Sequence, residues 1–77
     1  MANKAVINWQ RDALHWRDDA TAEVPGKKAT ARVSFSEIDR YLWNVSLNGR
    51  LFAYGDASTY EVSKQNAERA MREALAE

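Results

Sequence analysis

The stretch that decides the fold runs from residue 41 to residue 54 and reads YLWNVSLNGRLFAY. Apolar and polar side chains alternate on both sides of Asn48-Gly49, as in strands that bury one face. Asn-Gly between two such runs is the strongest short-range signal of a β-hairpin, because a type I′ turn needs positive φ at both central residues. The short loop predicts three cross-strand pairs, which are Leu47 with Arg50, Val45 with Phe52 and Trp43 with Tyr54. We expect the last two pairs to form an apolar stripe that another layer covers.

A third strand is predicted before this hairpin. Residues 29–35 read ATARVSF, so small or apolar side chains alternate with polar ones, as in a strand with one buried face. The connection at 37–40 reads EIDR and is short enough to place this strand antiparallel to the next one.

A helix is predicted after the hairpin. Small or apolar residues recur there at helical spacing, namely Ala67, Ala70, Met71 and Ala74. Ser63 and Leu75 fall at the edges of the same face. Two starts are open, because Ser58 forms a capping box with Glu61 and Ser63 also fits as an N-cap. The small residues predict a helix that lies close to the sheet and covers the apolar stripe.

The first 26 residues allow two interpretations. Helical spacing relates Trp9, Ala13, Trp16 and Ala20. Alternation of apolar and polar residues instead favours strands, with Arg11-Asp12 as a turn between them, and this is the interpretation we prefer. The acidic pair Asp18-Asp19 is expected in a solvated turn. The stretch PGKK at 25–28 is predicted to be the loop of a hairpin that leads into the strand at 29–35.

Together these elements predict an α+β fold, an antiparallel meander of four or five strands with one C-terminal helix packed on one face. The length of 77 residues indicates a single domain over 1–77. A chain of this size buries only about 60% of the surface that its unfolded form exposes, so its core is small. It has no cysteine, so neither disulfides nor thiolate metal sites can support the fold.

Composition and motifs argue against several functions. Eleven basic residues balance eleven acidic ones, which disfavours a general polyanion binder. The single histidine stands in no recognised metal-ligand spacing, and no glycine belongs to a phosphate-binding loop. We therefore expect no cofactor, no metal and no enzymatic activity. No apolar run is long enough to span a membrane or to form a signal peptide at the N-terminus, so the expected location is the cytoplasm.

Two features point to binding. Residues 27–50 carry a local surplus of three positive charges, and a helix over a small sheet leaves some aromatic rings partly exposed. Trp, Tyr and Arg are typical hot-spot residues of interfaces. The candidate contact residues are those that are least needed to form the core, namely Trp9, Trp16, Lys27, Lys28, Arg32 and Arg40. Self-association through Trp9 or Trp16 is an alternative, because a symmetric interface would enlarge a small core.

The stretch 43–75 resembles the second half of a double-stranded-RNA-binding domain. That family has a strand hairpin and then a helix that begins with Ser-Lys and continues with small residues, matched here by Ser63, Lys64, Ala67 and Ala70. Further lysines of the family are replaced by Gln65 and Glu68, and 37–40 lacks its Gly-Pro-x-His motif. Only Lys64 carries over as a phosphate contact. The resemblance implies a nucleic-acid-binding module as the alternative function.

The whole chain resembles a group of small phage and prophage proteins. The shared features are WQRD at 9–12, HWR at 15–17, LWNV at 42–45, GDA at 55–57 and an alanine-rich helix through Ala74. This resemblance implies an accessory protein of a mobile element, which binds and inhibits a host protein complex. Bacterial defence complexes such as CRISPR effectors are the implied targets. The expected function is therefore a non-catalytic protein-binding module.

Overall fold

The computed structural model describes residues 5–76, apart from the side chain of His15. It confirms the α+β fold with a five-stranded antiparallel sheet in chain order and one C-terminal helix packed on it. The elements are β1 (Asn8–Asp12), β2 (Arg17–Val24), β3 (Lys27–Glu37), β4 (Arg40–Leu47), β5 (Arg50–Ala57) and α1 (Tyr60–Ala76). A short 3-10 helix, Ala13–His15, lies between β1 and β2. The open face, as we call it, is the face of the sheet opposite α1.

The predicted hairpin forms, with positive φ of 51° at Asn48 and 84° at Gly49. Leu47 faces Arg50 as predicted, but the register then shifts between Val45 and Ser46. The other two predicted pairs are therefore wrong, because Val45 faces Ala53 and Trp43 faces Gly55.

Phe52 is the extra residue of this β-bulge, and an extra residue reverses the faces of the side chains that follow it. Tyr54 consequently lies on the open face with 74% of its surface exposed, whereas we expected α1 to cover it.

The core between sheet and helix consists mainly of small side chains. Its buried members are Ala20, Ala22, Ala29, Ala31, Val33 and Val45 of the sheet and Ala67, Ala70, Met71, Ala74 and Leu75 of the helix. Small residues on both surfaces allow the helix axis to lie close to the sheet. Ser63 and Leu75, expected at the edges of the helix face, are buried with 0% and 5% exposure.

The helix begins between the two predicted starts. The hydroxyl oxygen of Thr59 accepts a hydrogen bond from the Val62 N–H at 3.2 Å, which makes Thr59 the N-cap. The predicted caps at Ser58 and Ser63 are therefore wrong. Ser63 lies inside the helix, where its hydroxyl donates to the backbone carbonyl of Tyr41 at 2.9 Å. This bond ties the first turn of α1 to β4.

The first part of the chain is confirmed as strands, but its turns differ from the prediction. Arg11 and Asp12 remain in β1, opposite Asp18 and Arg17, because the cross-strand pairs of opposite charge favour a longer ladder. The chain reverses at 13–16 instead.

The next turn is shorter than predicted. Only Pro25 and Gly26 form it, with Gly26 at φ 81°. Lys27 and Lys28 already belong to β3, opposite Val24 and Glu23.

Replacement of Gly55 by a larger residue should destabilise the fold. A Cβ atom built at this position would lie 2.9 Å from Cζ2 of Trp43, so Gly55→Ala is expected to lower the free energy of unfolding by about 1–3 kcal/mol through overpacking. Urea denaturation measures the change. In a Trp43→Leu background the same substitution should cost little, since the ring is gone. An equal cost in both backgrounds would contradict the contact.

Candidate functional site

One end of the sheet carries several exposed apolar side chains. In an antiparallel meander the turns at 13–16 and 38–39 and the start of α1 share one end, which we call the apical end. Large exposed side chains gather there, namely Leu14 (82%), Trp16 (76%), Phe35 (48%) and Ile38 (84%). We call these four residues the apical cluster. Exposed apolar side chains grouped in this way mark interaction sites more often than scattered ones do.

A cavity of about 290 Å³ lies beside the apical cluster. Its apolar wall consists of Trp16, Val33, Phe35, Tyr41 and Tyr60. The rings of Phe35 and Tyr41 meet edge-to-face at 5.6 Å, and those of Tyr41 and Tyr60 do so at 6.2 Å. Edge-to-face contacts of this kind are each worth about 0.5–1.5 kcal/mol, so they favour this arrangement of the wall.

The polar wall of the cavity is organised around Asp18. Its carboxylate is buried, with 9% of the side chain exposed, and accepts hydrogen bonds from Arg11 Nε at 3.1 Å and Nη2 at 3.3 Å. The Tyr60 hydroxyl donates to the same carboxylate. The hydrogen bond and the charge of Asp18 raise the pKa of Arg11 above its usual value. Asp18, which we expected in a solvated turn, instead joins β1, β2 and the start of α1.

Trp16 stands at the rim of this cavity in an unusual backbone conformation. Its φ of 56° lies in the left-handed region, which costs about 1–2 kcal/mol for a residue with a Cβ atom. The Trp16 carbonyl accepts a hydrogen bond from Phe35 N–H at 3.3 Å, which fixes the turn. A bulky residue kept in this conformation, with its ring in solvent, is a feature that strained functional sites share.

The other predicted tryptophan has a structural role. Trp9 is half-buried against the core, and its indole N–H donates to Glu68 at 2.6 Å. The ammonium group of Lys64 lies 5.2 Å from the Trp9 ring and 6.0 Å from the Tyr60 ring. Trp9 and Lys64 therefore fasten β1 to α1.

The four predicted basic residues do not form one patch. Arg32 pairs with Asp19 at 2.9 Å, and Arg40 pairs with Asp56 at 3.1 Å. Lys28 stands opposite Glu23, and Lys27 lies next to it at the end of the sheet opposite the apical end. Acidic residues of β2 and β5 thus neutralise the charge that is in surplus along 27–50. Of the six predicted contact residues, Trp16 alone lies in the apical cluster.

Several residues of the apical end were not among the six predicted contact residues. Leu14 and Ile38 lie in turns, where periodicity gives no signal, and Phe35 was assigned to the buried face of β3. Tyr41 and Tyr60 meet only because β4 and α1 cross at this end. The pairing of Arg11 with Asp18 follows from the β1–β2 register, so a correct turn at 13–16 would have indicated it.

The comparisons with known proteins give no relative. No protein family, no curated protein and no solved structure matches the chain significantly. Among the described side chains, no group of three or more His, Cys, Asp or Glu is arranged to hold a metal ion. Within residues 5–76, no helix has the length and apolar character needed to cross a membrane.

The hydroxyl of Tyr60 should contribute to stability through Asp18. Tyr60→Phe removes one hydrogen bond to a buried carboxylate and is expected to lower the free energy of unfolding by about 1.5–3 kcal/mol. Tyr54→Phe is the matched control, because the exposed Tyr54 should change stability by less than about 0.5 kcal/mol. Urea denaturation compares the two, and equal effects would contradict the role of the Asp18 network.

The ring of Trp16 should be dispensable for folding. Trp16→Asn replaces it with a residue that tolerates positive φ, so stability is expected to stay equal or to rise by up to about 1 kcal/mol. Thermal denaturation followed by circular dichroism measures this. A loss of more than about 1 kcal/mol would show that the ring supports the fold.

Proposed function

We propose that this chain is a non-catalytic protein-binding module that contacts its partner through the apical cluster and the cavity beside it. The observation that carries the proposal is the exposed Trp16 ring at the rim of a cavity lined by Phe35, Tyr41 and Tyr60. Interface hot spots are enriched in Trp, Tyr and Arg and lie next to pockets that a partner side chain fills. Arg11 adds the third of these residue types. Its guanidinium carbon lies over the Tyr60 ring, 6.0 Å from the ring centroid.

The size of the cavity supports a protein partner. Its volume of about 290 Å³ lies just below the range of roughly 300–1,000 Å³ that is typical of small-molecule sites. That space accommodates one large side chain of a partner protein. The partner surface around this side chain would then cover the apical cluster. Insertion of an apolar side chain would bury the rings that the fold leaves in solvent, and this burial supplies the binding free energy.

The class of partner follows from the resemblance to small phage and prophage proteins. We propose a host protein complex, which the chain inhibits by occluding one of its surfaces. A bacterial defence complex is the target that this resemblance implies. A domain this small acts by covering a surface, because steric occlusion needs no chemistry of its own.

The alternative of a nucleic-acid-binding module has less support from the charges. Arg32 and Arg40 are engaged by carboxylates, and Lys64 lies between two aromatic rings. Phosphate binding needs cations that are free to replace the counterions of the nucleic acid.

The test is capture of partners from a bacterial lysate with the tagged chain, with and without nuclease, followed by mass spectrometry and affinity measurement on the purified partner. We expect a stoichiometric protein that withstands nuclease. Trp16→Asn should weaken its binding at least tenfold, which corresponds to about 1.4 kcal/mol.

Tyr54→Ala is the matched control, because it removes an equally exposed ring from the open face. Full affinity of Trp16→Asn together with loss of affinity in Tyr54→Ala would overturn the assignment to the apical end. Recovery only of nucleic acid, or of proteins lost on nuclease treatment, would favour the alternative function. Recovery of the chain itself as an oligomer would favour self-association.

A further inference from the structure

The charges that line the apical cavity cancel one another. Arg11 is paired with the buried carboxylate of Asp18 at 3.1 Å, and Arg17 Nη2 lies 3.4 Å from the carboxylate of Asp12. All four side chains line the cavity, and its other lining residues are apolar or aromatic. A charged side chain of a partner would find no uncompensated charge inside, whereas burial of an apolar side chain is favourable. The interior of the cavity therefore selects an apolar side chain.

The surface around the cavity, in contrast, carries surplus negative charge. The apical end and the residues that adjoin it occupy 11–18, 37–40 and 56–61. At pH 7, with the single histidine uncharged, these stretches hold three cations and six carboxylates, namely Arg11, Arg17, Arg40, Asp12, Asp18, Glu37, Asp39, Asp56 and Glu61. Inclusion of Lys64, one turn further along α1, still leaves a surplus of two negative charges. Because the whole chain has no net charge, this surplus is a local property of the apical end.

Two of these carboxylates have no cation beside them. The three arginines are engaged by the other four carboxylates, whereas Asp39 and Glu61 are exposed and form no ion pair with the described residues. Asp39 directly follows Ile38 of the apical cluster, and Glu61 directly follows Tyr60 of the cavity wall. Unpaired negative charge thus stands next to apolar surface on two different elements.

We propose that the apical end binds a basic segment of its protein partner. One large apolar side chain of that segment would enter the cavity, and neighbouring lysine or arginine residues would face Asp39 and Glu61. Complementary charges of this kind accelerate encounter and exclude wrong partners, while a buried apolar anchor supplies affinity. This inference rests on the proposed function and specifies the chemistry of the partner.

The same charges argue against other occupants of the apical end. Nucleic acids and anionic membranes present negative charge, which the surplus at this end repels. An acidic protein surface is disfavoured for the same reason. A second copy of this chain would bring an identical acidic surplus, so a symmetric pairing of two apical ends is disfavoured as well.

The test is selection of displayed random peptides on the full chain, followed by titration of the enriched peptides at low and at high ionic strength. We expect these peptides to share a large apolar residue with lysine or arginine near it. Their affinity should fall as the ionic strength rises, because salt screens exposed charges.

The double variant Asp39→Asn with Glu61→Gln should weaken peptide binding about threefold or more at low ionic strength, and by less at high ionic strength. Asparagine tolerates the positive φ of 62° at position 39, so the turn is preserved. Glu23→Gln with Glu73→Gln is the matched control, because it also removes two exposed carboxylates but leaves the apical end unchanged. The control should keep peptide affinity within about twofold.

The outcomes separate this inference from the proposed function. Enriched peptides that bind Trp16→Asn weakly but lack basic residues, or that bind the Asp39–Glu61 double variant with full affinity, would overturn the inference and leave the proposed function standing. Peptides that bind Trp16→Asn as tightly as the unaltered chain would overturn both. Enrichment of basic peptides without an apolar residue, or of no peptide, would also overturn the inference.

Discussion

The close approach of α1 to a sheet surface made of alanines is the constraint on which the rest of the structure depends. Ala20, Ala22, Ala29 and Ala31 meet Ala67, Ala70 and Ala74 across this interface, and Met71 is the largest side chain that it fully buries. A space this narrow excludes aromatic rings from its centre. All eight aromatic residues lie in the described part of the chain, and none of them is fully buried. The rings are displaced to the periphery, where they form the apical cavity, the Trp9 contact and the close contact of Trp43 with Gly55.

Much of the fold could be predicted from local signals. Asn48-Gly49 indicated the hairpin, alternation indicated the strands, and the spacing of Ala67, Ala70 and Ala74 indicated the buried helix face. The bulge at Phe52 could not be predicted, because no turn residue marks it and a regular ladder would have paired Trp43 with Tyr54. The close contact between Trp43 and Gly55 explains the shift after the fact, since only glycine leaves room for the indole.

The candidate sites depend on contacts between residues that are distant in sequence, and such contacts leave little trace in it. The basic surplus of 27–50 is largely offset when Asp19 and Asp56 form ion pairs with Arg32 and Arg40. Asp18 appeared to be a solvated residue until the register placed Arg11 beside it and α1 brought Tyr60 to it. Trp16 was selected for its exposure alone, whereas the cavity beside it is built by residues of β1, β2, β3, β4 and α1.

The alanine interface also divides the chain into positions that differ in their freedom to evolve. Ala29, Val45, Ala67 and Ala74 are completely enclosed, so a larger residue at any of them would separate the helix from the sheet. The exposed side chains of Leu14, Trp16 and Ile38 contribute little to that packing and can be exchanged without disturbing it. A lineage under pressure from a changing partner could therefore diversify its recognition surface rapidly while the scaffold beneath it stays fixed.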